Sequence, residues 1–185
     1  MVQSFEFSKG RKVRLWIDEL PPPPINDVLF IKAHTLVLGT CSGSTTKMAM
    51  ELSLQKHNSS YGLLGVELIP VCNQDYLEIK VCYSTKNTNI FNETLAYNKS
   101  TVFSTLPEEY AETILKRSVD FARNHPSFPT GQLIITTGAH CEVGSSKALF
   151  GIITDILLSL LVLNKSKYDD NEIETLLVKL SCPDC

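Results

Sequence analysis

Residues 105–124 read TLPEEYAETILKRSVDFARN, and the fold class follows from the change in hydrophobic period that begins there. Thr105 to Glu108 form a capping-box pattern with Pro107 in the first turn, which is typical of a helix start. Acidic residues crowd the first turn and basic residues follow, an order that complements the helix dipole. We therefore expect a helix that ends at His125-Pro126. Its buried face is predicted to consist of Tyr110, Ala111, Ile114, Leu115, Ser118, Phe121 and Ala122.

The chain before this helix has the pattern of β-strands. Lys12–Ile17 and Thr46–Leu54 alternate with a period of two, which predicts half-buried strands. Val28–Leu38 is rich in aliphatic and β-branched residues and predicts a long strand buried on both faces. The prolines at 21–24 predict a stiff connection between strands.

Residues 61–90 hold two further strand candidates, Leu63–Ile69 and Tyr76–Tyr83. Pro70 and Asn73-Gln74-Asp75 separate them, so we expect an inserted hairpin. Phe91–Tyr97 is a weaker strand candidate among asparagines.

The chain after the helix predicts a strand, a second helix and a last strand. Gln132–Thr137 is the first strand, and Ser145 or Ser146 caps a helix that runs to about Leu163. Glu174–Leu180 is the last strand. At 185 residues the chain predicts a single domain. The fold class is α+β: a mainly antiparallel sheet with two helices on one face, in the order β-β-β-(β-hairpin)-β-α-β-α-β.

Composition narrows the class of function. The net charge is −3, so no basic face for nucleic acid is implied. The most apolar stretch, Ala148–Leu163, is shorter than a membrane span and contains Asp155. The N-terminal residues lack the apolar region of a secretory signal. The expectation is therefore a protein of the cytoplasm and nucleus whose six cysteines are reduced thiols.

Cys41 is the main catalytic candidate in the sequence. Gly39–Gly43 matches G-x-C-x-G, a nucleophile elbow with cysteine in place of serine. An elbow needs a following helix and a histidine close in space, whereas the segment after Cys41 has a strand pattern. The alternative is a turn that holds a small buried thiol, and a hydrolase that uses Cys41 stays the less favoured hypothesis.

The other motifs have ordinary structural explanations. Cys182 and Cys185 form a lone C-x-x-C without the second pair that a structural zinc site needs. His140 and Cys141 are adjacent, and adjacent side chains of an extended chain point apart. We predict no catalytic, metal-binding or cofactor-binding residues, and a protein that is not an enzyme.

The second helix is apolar around more than half of its circumference, although a helix on one face of a sheet needs one apolar stripe. The excess is buried either under the inserted hairpin or against another protein. In the second case the partner interface would include Phe150, Leu157 and Leu161.

Two stretches resemble the small proteasome-assembly chaperones, the third and fourth members of that eukaryotic group. One is Glu108–Leu161, which is similar in order and length to the helix, strand and C-terminal helix of that family. The other is similar to its central strand pair and comprises His34-Thr35-Leu36-Val37-Leu38, Thr40, Lys47-Met48, Ser53-Leu54 and Ser59-Ser60. The resemblance implies a non-enzymatic heterodimer with a second small assembly chaperone. It would bind α-type subunits and assist assembly of the α-ring of the 20S proteasome.

Two motifs also resemble the fourth domain of elongation factor G. They are Pro107-Glu108-Glu109-Tyr110 and, with Phe150 after it, Gly138–Ser146, in which Gly144 stands where that family has an aspartate. This resemblance implies a stand-alone ribosome-associated domain. Topology separates the two families: strictly antiparallel pairing around the helix–strand–helix unit favours the chaperone, and a left-handed β-α-β crossover favours the elongation-factor domain.

Overall fold

The computed structural model describes residues 1–22, 25, 28–36, 44–54, 60–87, 89–96 and 101–181. Within them, one sheet is covered by three helices, and the predicted α+β class is confirmed. The strands are β1 (Val2–Phe7), β2 (Arg11–Ile17), β3 (Leu29–Leu36), β4 (Thr46–Leu54), β5 (Ser60–Pro70), β6 (Tyr76–Tyr83), β7 (Val102–Phe103) and β8 (Gly131–Cys141). The helices are α1 (Glu108–Asn124), α2 (Lys147–Leu163) and α3 (Asp170–Ser181).

The strand order of the sheet is β1-β2-β4-β5-β8-β6-β3, and the short β7 also pairs with β8. Neighbouring strands are antiparallel except β6 and β8, which are parallel and are connected through α1. Strictly antiparallel pairing around the helix–strand–helix unit is therefore not observed. The unit is a β-α-β crossover between adjacent strands.

The hand of this crossover follows from the pairing of β1 with β2. The N–H of Ile17 donates to the carbonyl of Met1 at 2.9 Å, and the terminal amine of Met1 donates to the carbonyl of Ile17 at 2.7 Å. Odd-numbered residues of β2 thus direct their backbone groups toward β1, while their side chains, such as Leu15, lie in the core beneath the helices. In a strand of L-residues that is viewed running upward, each residue whose side chain faces the viewer directs its backbone N–H and C=O groups to the right.

Seen from the helices with β2 running up, β1 therefore lies on the right and β8 and β6 lie on the left, running down. When this view is turned upside down in the plane of the sheet, β6 and β8 both run up. In that view β8 lies to the left of β6, and α1 passes in front of the sheet. That connection is left-handed, whereas about 98 % of such crossovers are right-handed. Tyr61 in β5 agrees: its N–H donates to Gly144, beyond β8, and its side chain lies on the face away from the helices.

One face of the sheet, the helix face, packs against α1, α2 and α3. Helix α1 lies over β3 and β6, and α2 lies over β4 and β5 and contacts both other helices. The stripe predicted for α1 is confirmed, with Ala111, Ile114, Ser118, Phe121 and Ala122 buried. Thr105 is not its cap, because the N-cap residue is Pro107 and no side chain caps the helix.

The other face, the strap face, is covered by chain segments instead of helices. Residues 89–96, here called the strap, cross it and bring Phe91 against Trp16, Leu63 and Ala139. The strap is anchored at β7, where the N–H of Phe91 donates to the carbonyl of Val102 at 2.8 Å. The weak strand predicted at Phe91–Tyr97 is wrong for the described residues 91–96, which are irregular.

Three sequence predictions are corrected by the topology. The strands β5 and β6 are present, but they do not form an inserted hairpin, because β8 lies between them. The strand predicted at Glu174–Leu180 belongs to helix α3, whose Ile173 and Leu177 are buried one turn apart. The strand predicted as buried on both faces is β3, which is last in the order of described strands and leaves Leu29 and Phe30 about half exposed.

Candidate functional site

The turn between β8 and α2, residues 142–146, is here called the tip loop, and it carries the motif that resembles the elongation-factor domain. The hydroxyl of Ser145 holds its base: it donates to the carbonyl of Tyr61 at 2.6 Å and accepts from the N–H of Cys141 at 2.9 Å. The hydroxyl of Tyr110 on α1 donates to the carbonyl of Ser145 at 3.2 Å. Strand β5 and helix α1 therefore fix the loop from two sides.

Backbone geometry shapes the outer part of the tip loop. Gly144 has φ of 106°, a conformation that side chains disfavour, and its carbonyl accepts from the N–H of Tyr61 at 3.3 Å. Ser146, one of the two serines predicted as the cap, caps α2 by accepting from the N–H of Leu149 at 3.2 Å. Just before Gly144, Glu142 is exposed and the side chain of Val143 is 81 % exposed.

His140 lies behind the tip loop and is buried. Its Nδ1 is 2.8 Å from the carbonyl oxygen of Thr105, and because a carbonyl only accepts, Nδ1 carries the proton. Burial lowers the pKa of His140, against the opposing effects of the Thr105 hydrogen bond and the Glu142 charge. The ring packs against Phe103 and Tyr110. A neutral imidazole fixed in this way ties β8 to the start of α1.

Cys141 points to the opposite face, as expected for adjacent residues of a strand. Its thiol lies in the strap-face cluster, where burial and the nearby Glu51 raise its pKa to about 11. A thiol with this pKa is protonated near neutral pH and is a poor nucleophile. His140 and Cys141 therefore do not form a nucleophile–base pair.

Glu51 is the most unusual group of the strap face, because its carboxylate is fully buried. Its Oε1 accepts from the Tyr61 hydroxyl at 2.8 Å, the Thr94 hydroxyl at 3.0 Å and the Leu95 N–H at 2.7 Å. Burial raises the pKa of Glu51, and the hydrogen bonds and Arg14 only partly oppose it. The carboxylate thus joins β4, β5 and the strap.

Oε2 of Glu51 accepts no hydrogen bond within the described residues. Its charged neighbour is the guanidinium of Arg14, whose Nη1 lies at 3.5 Å. Arg14 also stacks over Trp16 and donates to the carbonyl of Glu93 in the strap at 2.9 Å. No local sequence pattern marks Glu51 as buried, because it belongs to the side of Thr46–Leu54 that carries Lys47 and Ser53 and that looks solvent-facing.

The interface predicted on α2 does not fit the structure. Phe150 and Leu157 are 0 % exposed and Leu161 is 5 % exposed, all three in the core of the helix face. Phe150 stacks on Tyr110 with ring centroids 4.8 Å apart. The excess apolar surface of α2 is covered by α1 and α3 of the same chain, so these three side chains have no surface to offer a partner.

The remaining cysteine predictions have different outcomes. Cys41, Cys182 and Cys185 lie outside the described residues, but the strand predicted after Cys41 is confirmed as β4, where an elbow needs a helix. Cys72 is disulfide-bonded, so the expectation of a reduced thiol is wrong there, while Cys82 is a buried free thiol. Within the described ranges, no group of three or more histidine, cysteine or acidic side chains could hold a metal ion.

Comparison with protein-family models, with curated proteins and with solved structures gives no match in any of the three. A search of the described helices finds none that is both long enough and apolar enough to span a membrane.

Proposed function

We propose that the chain is a non-enzymatic domain that associates with the ribosome and docks through its tip loop. The observation that carries the proposal is the left-handed β6–α1–β8 crossover, the topology that the resemblance to the fourth domain of elongation factor G implies. The two resembling motifs lie together in space, because Tyr110 of the first donates to Ser145 of the second.

The form of the tip loop supports docking at this end of the molecule. Its base is held by hydrogen bonds from β5 and α1, so little conformational entropy is lost when it binds. Val143 is exposed although it is apolar, and Glu142 stands beside it. With a net charge of −3, the contact is expected to be local to the tip rather than spread over a basic surface.

The experiment is co-sedimentation of the purified chain with ribosomes at low and raised salt. We expect the wild type in the ribosomal pellet at low salt, with the association lost at raised salt. Val143→Asp should weaken it at least tenfold, because a charge replaces the apolar contact. Val178→Asp is the control, since Val178 on α3 is 51 % exposed and far along the chain from the tip. Absence from the pellet, or equal weakening by both variants, would contradict the proposal.

A proteasome-assembly chaperone is the second candidate, and the exposed edge of the sheet is the observation that favours it. Strand β3 presents Leu29 and Phe30, which are 47 % and 53 % exposed, at the end of the described strand order. An edge of this kind can pair with a strand of another protein. Affinity purification should then recover proteasome α-type subunits and one small partner chaperone. Recovery of neither would remove this candidate.

The first candidate places the protein in the cytoplasm and the second in the cytoplasm and nucleus. Thiols are kept reduced in both compartments, and the disulfide bond of Cys72 does not fit that expectation. Neither function uses Cys41 as a nucleophile. A thiol-reactive probe that labels Cys41 far faster than Cys82 would instead favour the hydrolase hypothesis.

A further inference from the structure

A groove of about 560 Å³ runs along the outer edge of the sheet, between β3 and α1. Its floor is apolar and includes Ile31, Ala33, Leu115 and Val119. Beside it, the described part of the chain provides no further strand for the outer side of β3. By the same geometry that gives the crossover its hand, the even-numbered residues, such as Phe30 and Lys32, direct their backbone groups outward.

Four charged residues of α1 line this groove in the order Glu112, Lys116, Asp120 and Arg123. All four are exposed. Among the described residues, none of the four forms an ion pair within the chain. The row reads minus, plus, minus, plus, so an antiparallel copy of the same row sets Glu112 opposite Arg123 and Lys116 opposite Asp120. The helix is complementary to itself when a twofold axis passes near residue 118.

The same axis fits β3. Arg123 Nε donates to Thr35 Oγ1 at 3.0 Å, so the end of α1 is level with Thr35. The rise along the axis of a helix from Arg123 back to residue 118 is about 7.5 Å, which corresponds to the length of about two residues of a strand. Because β3 and α1 both run opposite to β6, the axis meets β3 at Ala33.

The register at Ala33 is also favourable along the strand. It sets Ala33 against its own copy and Ile31 opposite Thr35, and it avoids the register in which Lys32 faces Lys32. The backbone groups of Ala33 point inward to β6, so this pair is the close, non-hydrogen-bonded type, which suits a small side chain. Since α1 lies over both β3 and β6, the two copies of α1 would be about 10 Å apart, the spacing of packed helices.

We propose that the groove and the outer edge of β3 bind a second copy of this chain, in a twofold-symmetric dimer that continues the sheet through antiparallel β3–β3 pairing. The occupant is a second copy because the charge row of α1, its level relative to β3 and the register of β3 all match one axis. Leu115 and Val119 of each copy then fill the floor of the other copy's groove. This inference does not depend on the ribosome proposal.

The test is sedimentation equilibrium of the purified chain over a range of concentrations. The wild type is expected to form a concentration-dependent dimer. Lys116→Glu sets like charges against Asp120 at two symmetric places and should weaken the dimer roughly tenfold or more. Adding Asp120→Lys to that variant restores opposite charges and should recover the dimer. Lys167→Glu, on the exposed α2–α3 connection, is the charge-matched control and should leave the dimer unchanged.

Lys32→Pro is the second variant. It removes an N–H that points outward from β3 and spares the pairing with β6, so the fold should persist while the dimer is lost. Circular dichroism checks the fold of each variant. A wild type that stays monomeric at all concentrations overturns the proposal. So does a dimer that Lys116→Glu and Lys32→Pro leave intact, or one that the charge reversal at both positions does not restore.

Discussion

The two faces of the sheet are buried in different ways. The helix face is covered by three helices and is packed almost entirely with aliphatic and aromatic side chains. The strap face is covered by an irregular segment, which the buried carboxylate of Glu51 holds in place through the hydroxyl of Thr94 and the N–H of Leu95. Helices satisfy their own backbone groups, whereas an irregular segment needs a polar partner on the sheet. The difference explains why a charged group is buried on one face.

The two faces should also respond to pH in opposite directions. The raised pKa of Glu51 means that the folded chain holds a proton more tightly than the unfolded chain, so this group lowers stability as the pH rises above 4.5. The lowered pKa of His140, beneath the helices, means that the unfolded chain holds the proton more tightly. This group therefore lowers stability as the pH falls below 6.5.

The largest effect is expected from removing a large side chain on the helix face. Phe150→Ala should lower the free energy of unfolding by about 3–5 kcal/mol, through lost burial and the cavity left against Tyr110. Because no titrating group is removed, the loss should be the same at pH 5 and pH 8. Denaturant unfolding measures it, and Val143→Ala, an 81 % exposed site, should change stability by less than about 0.5 kcal/mol. A loss below about 1 kcal/mol at Phe150 would contradict the packing of this face.

A smaller loss is expected from breaking the polar network of the strap face. Tyr61→Phe removes the hydroxyl that donates to Glu51 Oε1 at 2.8 Å and should cost about 2 kcal/mol. That hydrogen bond helps to hold the carboxylate charged, so its loss should raise the pKa of Glu51 further. The loss in stability should therefore be greater at pH 8 than at pH 4.5. A loss in stability that does not change with pH would show that the Tyr61 hydroxyl does not stabilise a charged Glu51 carboxylate.

The sequence predicts well the elements that a local hydrophobic pattern decides. It predicts poorly the features that depend on contacts between distant parts of the chain. Thr46–Leu54 is a strand with the predicted bounds because alternation along one segment decides it. Glu174–Leu180 is a helix instead of a strand because Ile173 and Leu177 pack together on α2, a tertiary contact that outweighs the β-branched residues nearby. The parallel β6–β8 pair depends on where α1 returns the chain, which no local pattern records. Glu51 is buried by the strap, whose Leu95 lies 44 residues further along the chain.

The third prediction isolates the charge of the strap face. Glu51→Gln keeps an oxygen that can accept the hydrogen bonds of Oε1 and removes the titrating group. The variant should lack the loss of stability that the wild type shows as the pH rises above 4.5, and each unit by which the folded pKa is raised corresponds to about 1.4 kcal/mol. Urea unfolding at pH 4.5 to 8 measures the difference between the two proteins. A difference that stays constant over this range would contradict a raised pKa at Glu51.

The smallest effect is expected at His140, because the Thr105 hydrogen bond and the Glu142 charge both oppose the lowering of its pKa by burial. His140→Asn keeps an N–H that can donate to the Thr105 carbonyl and removes the group that titrates. Because the raised pKa of Glu51 gives stability an opposing dependence on pH above 4.5, the substitution is best compared in the Glu51→Gln background, where this contribution is absent. In that background the chain with His140 should lose stability as the pH falls below 6.5, and the chain with asparagine should not. The two side chains lie on opposite faces, so their effects should add. If the His140→Asn chain still loses stability as the pH falls below 6.5, another group on the helix face is responsible for that loss.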